Sequence, residues 1–272
     1  MLLYLDCETR STLTLQKVGV DRYSRNCELL MLAHAAGDRE PDIWLPSESE
    51  IPAKLRMTLL DPTIVKTAWN CAFEHRVFRH QLGIDTPISE WLDPSVYARY
   101  MGLPSSLALA SEYLKLGDTA KDKEGRRLIN KFSKPYKSRK TGTYSFRDWN
   151  DKKHNPDWLL FQKYCRQDVV AERAIYQRLK AAFTPPTFER KLWELDQKIN
   201  ERGLAVSMDR IREAQENVAR EREWLQQELN RLTGLRNANS VGQLLPWLRR
   251  HGYPYTSLDR EHIARALEPC TP

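Results

Sequence analysis

Leu2-Leu3-Tyr4-Leu5-Asp6-Cys7-Glu8-Thr9 stands at the front of the chain. Residues 2–6 read as a short buried strand, because the run is apolar, brief and ends in an acid. Side chains alternate along a strand, so Asp6 and Glu8 project from one face and Cys7 from the other. Two converging carboxylates offer hard oxygen ligands of the kind that divalent cations take. The pattern D-x-E recurs at Asp38, Asp122 and Asp259, but only the first copy follows a strongly apolar run. Position, not pattern, singles it out.

Outward from this strand the spacing predicts further strands over Leu29–Ala36, Asp42–Leu45 and Thr63–Trp69. Helices are expected over Glu74–Gln81, Pro94–Met101 and Ser106–Leu116. Strands separated by helices imply an α/β layer fold with a mixed sheet. Asn155-Pro156-Asp157 starts a long helix, with proline tolerated in the first turn. From there to Phe183, Leu160, Tyr164, Asp168, Ala171, Ile175 and Leu179 share one face. Two prolines at 185 and 186 stop that helix and mark the expected domain boundary, 1–183 before it and 187–272 after. The second part reads as all-helical. Phe188–Glu201 forms one helix, Ser207 caps another that runs to Thr233-Gly234, and Ser240-x-x-Gln243 has the form of a capping box.

Composition narrows the function classes. Of 272 residues 41% are hydrophobic, with 8 Trp, 11 Tyr and 7 Phe, which excludes a disordered chain. No run approaches ~18 consecutive apolar residues, so no membrane span is expected. The first residues lack a basic region and meet Asp6 early, unlike a signal peptide. Five cysteines with no C-x-x-C pair suit a reducing compartment and argue against a disulfide framework or zinc site. The six histidines show no metal-ligand spacing. A cytoplasmic protein is the expectation. The net charge of +7 is concentrated: Lys121 to Lys153 holds twelve Lys and Arg against four Asp and Glu, with Phe132, Tyr136, Tyr144, Phe146 and Trp149 interleaved. Such a mixture suits a nucleic-acid backbone and its bases.

Two more acidic motifs complete the pattern. Asn70-Cys71-Ala72-Phe73-Glu74 follows an apolar strand and leads into a helix, and N-x-x-[FY]-[DE] occurs only here. Tyr164-Cys165-Arg166-Gln167-Asp168 sets a phenol and a carboxylate one helical turn apart. Y-x-x-x-D occurs also at Tyr144 and Tyr255, yet only the Tyr164 copy lies on a long helix with an otherwise apolar face. A buried Asp there needs a partner.

In this order and setting, the three motifs resemble the DnaQ-like 3′–5′ exonucleases with an RNase H-like fold, in the subgroup whose last motif carries tyrosine. The sister subgroup has histidine five residues before the last Asp, where this chain has Lys163. The resemblance covers residues 1–183. Lys121 to Asn130 and Tyr164 to Val169 are similar to the proofreading domains of phage-type family A DNA polymerases. Leu195 to Gly203, with Leu232-Thr233-Gly234, is similar to the helical start of such a polymerase, so no polymerase active site is expected within these residues.

The resemblance implies hydrolysis at DNA 3′ ends, frayed into single strand, by two divalent ions, Mg²⁺ or Mn²⁺. Asp6, Glu8, Glu74 and Asp168 would hold them, and Tyr164 would orient the attacking water. Asn70 and Phe73 would grip the terminal nucleotide, and Thr9 would offer its backbone or hydroxyl to the sugar. A family A polymerase domain, in cis or trans, is the implied partner, in a bacterial or phage-infected bacterial cell. The second motif of the family usually ends in Asp, so Glu74 is a departure that moves the carboxylate by one methylene. RNA trimming by the same fold, and a non-catalytic nucleic-acid clamp, are the alternative readings.

Overall fold

The computed structural model describes residues 1–117, 124–138 and 141–267. Lys121, Asp122, Lys123, Arg139 and Lys140 of the basic stretch, and Cys270, lie outside the described residues.

The opening strand, β1 (Leu2–Arg10), runs on past Asp6 because β2 (Glu28–Ala36) pairs with it antiparallel along its length. Asp6 lies opposite Ala33 and Glu8 opposite Met31, with a register shift between Glu8 and Thr9. On the other edge β1 pairs in parallel with β4 (Val65–Thr67), and β4 in parallel with β5 (Trp91–Leu92). β2 pairs antiparallel with β3 (Asp42–Trp44), giving the order β3-β2-β1-β4-β5. This is the mixed, helix-flanked RNase H-like sheet that the motifs implied.

A central strand must bury both of its faces. Leu3, Leu5 and Cys7 enter a core completed by Tyr23 of α1 (Leu15–Arg25), Leu55 and Leu59 of α2 (Ala53–Leu60) and Val77 of α3 (Ala72–Val77). Tyr4 enters the opposite core. There α7 (Asn155–Ala182) lays Phe161, Cys165 and Val169 across the sheet. Further along, Ala171, Ile175 and Leu179 of α7 pack with α4 (Pro94–Tyr100) and α5 (Leu107–Tyr113). A short helix, α6 (Gly125–Phe132), lies on the start of α7, with Phe132 stacked 5.8 Å from Phe161. A small hairpin, β6 (Tyr136–Lys137) and β7 (Tyr144–Ser145), follows it.

Several boundaries shift for physical reasons. The helix expected at Glu74 begins at Ala72 and gives way after Val77 to a wider turn over Phe78–Leu82. The chain divides into compact units at Met1–Gly203 and Leu204–Pro272, not at the prolines. The prolines stop α7, but α8 (Thr187–Arg202) folds back onto the first unit. Its Arg190 donates to the carbonyls of Ser89 and Trp91, Trp193 packs on the core, and Glu201 pairs with Arg79.

The second unit holds α9 (Met208–Thr233), α10 (Val241–Arg250) and α11 (Arg260–Leu267). Ser207 caps α9, its hydroxyl accepting from the Arg210 N–H at 3.4 Å. The capping box expected at Ser240 does not form: Gln243 instead accepts from the Asn237 N–H at 3.1 Å. No helix among the described residues is long and apolar enough to cross a membrane.

α6 is fastened by charge as well as by rings, since Arg127 and Lys131 both reach Asp157 of α7, at 2.9 and 2.5 Å. Hydrogen bonds from these two hold the Asp157 carboxyl down at about 2, against an ordinary 3.8. A depressed carboxyl adds stability that is present above the unfolded value and lost as pH falls through the folded one. Asp157→Asn should therefore lower the urea midpoint at neutral pH, and the deficit should close between pH 3.8 and about 2. A deficit that stays constant over that window would show that the charge pair is not its cause.

Candidate active site

Asp6 and Glu8 alternate with buried Cys7 and Thr9 along β1 and stay half-buried. From above, α7 delivers Tyr164, Asp168 and Glu172 at successive turns of one face, exposed by only 2%, 2% and 1%. The Tyr164 phenol is hydrogen-bonded to Asp168 and feels Glu8 and Asp6. Burial and then these acids push its pKa far above the ordinary phenol value, so it stays protonated at neutral pH. As it stands, the phenol donates its hydrogen bond to Asp168.

Glu74 arrives from the first turn of α3. Its Oε1 accepts a weak contact from the Cys7 thiol at 3.8 Å, and its Oε2 is buried with no hydrogen-bond partner. Burial, with Asp6 next, pushes the Glu74 carboxyl well above the usual range. Asp6 itself has the Cys165 thiol 3.2 Å from Oδ2. The charge of Asp6 also bears on Glu74, Tyr164 and Glu172, so it is the electrostatic centre of the group. The structure thus brings Asp6, Glu8, Glu74, Tyr164 and Asp168 together from three distant stretches of sequence.

The corner between β4 and α3 sets where Glu74 stands. Asn70 has φ +61°, a left-handed backbone that Asn tolerates better than most residues. Its N–H donates to Asp93 Oδ1 at 3.0 Å, and the preceding Trp69 N–H donates to Glu172 Oε2 at 3.2 Å. Two successive amides are therefore held by two buried carboxylates. Asp93 also caps α4 through the Ser95 N–H at 2.9 Å, while the Ser95 hydroxyl donates to Asn70 Oδ1 at 3.1 Å.

Phe73 is half-buried beside Tyr23, with ring centroids 6.0 Å apart. Thr9 does not join the acids through its side chain: its hydroxyl lies 3.1 Å from the Tyr23 phenol, on the side of the sheet packed by α1. Sequence reading missed Tyr23, Asp93, Ser95 and Glu172. For Glu172 a signal existed, since it follows Asp168 by the same one-turn spacing that relates Tyr164 to Asp168.

The donor set is all carboxylate oxygen, which suits Mg²⁺ or Mn²⁺ and not a thiophilic metal. The orphaned Glu74 Oε2 fits the same reading, because a nearby cation would satisfy it and offset Asp6. Among the described residues no three His, Cys, Asp or Glu side chains close around one ion as they stand.

The sheet order is the one that the resemblance of the motifs implied, and the acids those motifs contribute lie near one another. No family model matches the sequence. Among curated proteins the chain is similar to a DNA polymerase of Bacillus phage SP02. The two are 35% identical over 270 residues, which cover 98% of this chain and 41% of that one. The chain thus spans about two fifths of the length of this relative. Among solved structures it is similar to Escherichia coli RNase D, an exoribonuclease involved in structured RNA processing. Identity there is 17% and the TM-score 0.46, over 73% of this chain and 45% of that one. Brucella melitensis NrnC is 15% identical with a TM-score of 0.38, over 72% and 80% of the two chains.

A raised carboxyl contributes stability that is fully present below its unfolded value and lost as pH rises through its folded one. Replacing Glu74 by Gln removes the charge and the loss together. In EDTA, Glu74→Gln should melt several degrees above wild type at pH ~8, and the gap should narrow toward pH ~5. Equal melting temperatures at both pH values would sink this account of the buried acid.

Proposed function

We propose that this chain carries a metal-dependent 3′–5′ exonuclease of the proofreading type, removing nucleotides from DNA 3′ ends. The observation that supports the reading is that Asp6, Glu8, Glu74, Tyr164 and Asp168, from three distant stretches of sequence, lie close enough to bear on one another's charge. Similarity to a phage DNA polymerase supports DNA as the substrate and a polymerase domain, in cis or trans, as the partner, of the family A type that the resemblance of the motifs implies. The setting would be the cytoplasm of a bacterial or phage-infected cell. Residues 1–183 hold all five groups, α8 packs on the same unit, and the helices of Leu204–Pro272 would form the start of the polymerase part.

Asp6, Glu8, Glu74 and Asp168 would hold two divalent ions. Bound there, Mg²⁺ or Mn²⁺ supplies Lewis-acid polarisation of the phosphodiester and stabilises charge on the leaving 3′-oxygen. Tyr164, kept protonated by its buried setting, orients water by hydrogen bond. Because Ser95 holds the Asn70 carbonyl, the Asn70 amide NH₂ is the group left to bind the terminal nucleotide. Phe73 offers a ring face for stacking a base.

Beyond the acids, Arg127, Lys131, Lys134, Arg147 and Lys153 line a cavity of about 500 Å³, with Arg147 lying 4.8 Å over the Tyr136 ring. Phosphates of the incoming strand fit such a basic surface. Each phosphate contact to single-stranded nucleic acid contributes about 0.7 to the logarithmic salt slope. The triple variant Lys134→Ala/Arg147→Ala/Lys153→Ala should flatten that slope by about 2 for single-stranded DNA. An unchanged slope would remove this surface from the substrate path.

The decisive experiment is gel-resolved digestion of a 3′-mismatched DNA duplex and of matched single-stranded DNA and RNA, with Mg²⁺ or EDTA. Stepwise loss from DNA 3′ ends is expected, abolished by EDTA and reduced at least ~10³-fold in Asp6→Ala/Asp168→Ala. Millimolar Mg²⁺ should also raise the wild-type melting temperature but not that of the double variant. Preferential attack on RNA would overturn the proofreading role. Tight DNA binding without cleavage in either metal would overturn the enzyme reading in favour of a clamp.

A further inference from the structure

Nine described glycines take positive φ, and a side chain added at any of them would meet no atom within 4 Å. Each serves a turn or bend. Gly125 is different. It begins α6 without a positive φ, and it is buried against Tyr164. A methyl group on its α-carbon would lie 2.6 Å from the phenol oxygen, and closer still to ring carbons Cε2 and Cζ. Glycine stands here for space, not for backbone freedom.

Neither partner can step aside at little cost. Tyr164 is 2% exposed, stacked 6.1 Å from Phe161 and hydrogen-bonded to Asp168. α6 is pinned by Leu128 and Phe132, both buried in the core shared with Phe161, and by the Arg127 and Lys131 pairs to Asp157. Cores packed at this density do not absorb an added methyl without displacing a side chain.

We propose that Gly125 is a positioning residue: its bare α-carbon lets the start of α6 close over the Tyr164 ring and hold the phenol against Asp168. Gly125 acts through Tyr164 and needs no contact with substrate. The inference rests on the nuclease reading only where turnover is measured.

The test compares wild type and Gly125→Ala as full chains, by tetranitromethane nitration mapped to individual tyrosines. Tyr4 and Tyr176, exposed by 3% and 4%, serve as internal controls for general loosening. Tyr164 should be protected in wild type and react at least about tenfold faster in Gly125→Ala, with both controls still protected. In the digestion assay kcat should fall by about 10²-fold, with KM for the oligonucleotide unchanged. Adding Gly125→Ala to Tyr164→Phe should then cost little further.

Equal protection of Tyr164 in the two proteins, or opening of all three tyrosines together, would overturn the proposal. So would additive losses in the double variant. Should Gly125→Ala fail to fold, adding Tyr164→Leu must restore folding, since the methyl then has no ring to strike. A wild type without nuclease activity would refute the function proposed above, while nitration would still decide the role of Gly125.

Discussion

Buried carboxylates of like charge cannot share a small volume unless they are separated, protonated or met by a cation. The first unit is organised around that constraint. Asp6 comes from the central strand, Glu74 from the corner after β4, and Asp168 and Glu172 from the covering helix. Each brings its backbone from a different direction, so the fold must hold them against their mutual repulsion. Thiols from Cys7 and Cys165 contribute only weak contacts to Glu74 and Asp6. Burial first, and then the charge of Asp6, push the Glu74 and Glu172 carboxyls up.

The rigid parts around the acids bear this load. β1 is fixed by neighbours on both edges and by cores on both faces, so Asp6 and Glu8 have little freedom to retreat. α7 is clamped at its other end too, where Arg173 donates to the carbonyls of Gly37 and Arg39 and Gln177 donates to Asp38. Asp93 and Glu172 show a second use of buried acid. Each accepts a backbone N–H at the Trp69–Asn70 corner, which compensates part of its desolvation and fixes the chain leading to Glu74.

What was legible in the sequence is what local periodicity encodes. β1, β2 and α7 were readable because long apolar runs and a sustained helical face leave few alternatives. Asp6, Glu8, Asn70, Glu74, Tyr164 and Asp168 were readable through spacing and through family resemblance. α1 escaped because Gly19, at φ +75°, interrupts its helical geometry. β5 escaped because two residues carry no pattern. The prolines were read as a domain border because they end a helix, yet they are silent on where Arg190 and Trp193 dock afterwards. The hydroxyl of Thr9 went to Tyr23, a partner fourteen positions away that no local rule nominates. Glu172 looked like an ordinary helix acid until the Trp69 amide was found against it, 103 positions distant in sequence.

α7 is one unbroken helix of 28 residues, and it carries both Asp157, beneath the basic cavity, and Asp168, among the acids. At 1.5 Å per residue, the two positions are held about 16 Å apart along the axis. On the function proposed above, that separation would make the helix a ruler: a strand would have to extend across a few nucleotides for its end to meet the carboxylates while its backbone still lay on the cations. Reach would then separate substrates before chemistry does: an end that frays easily spans both stations, whereas a firmly paired end, or a very short fragment, satisfies only one.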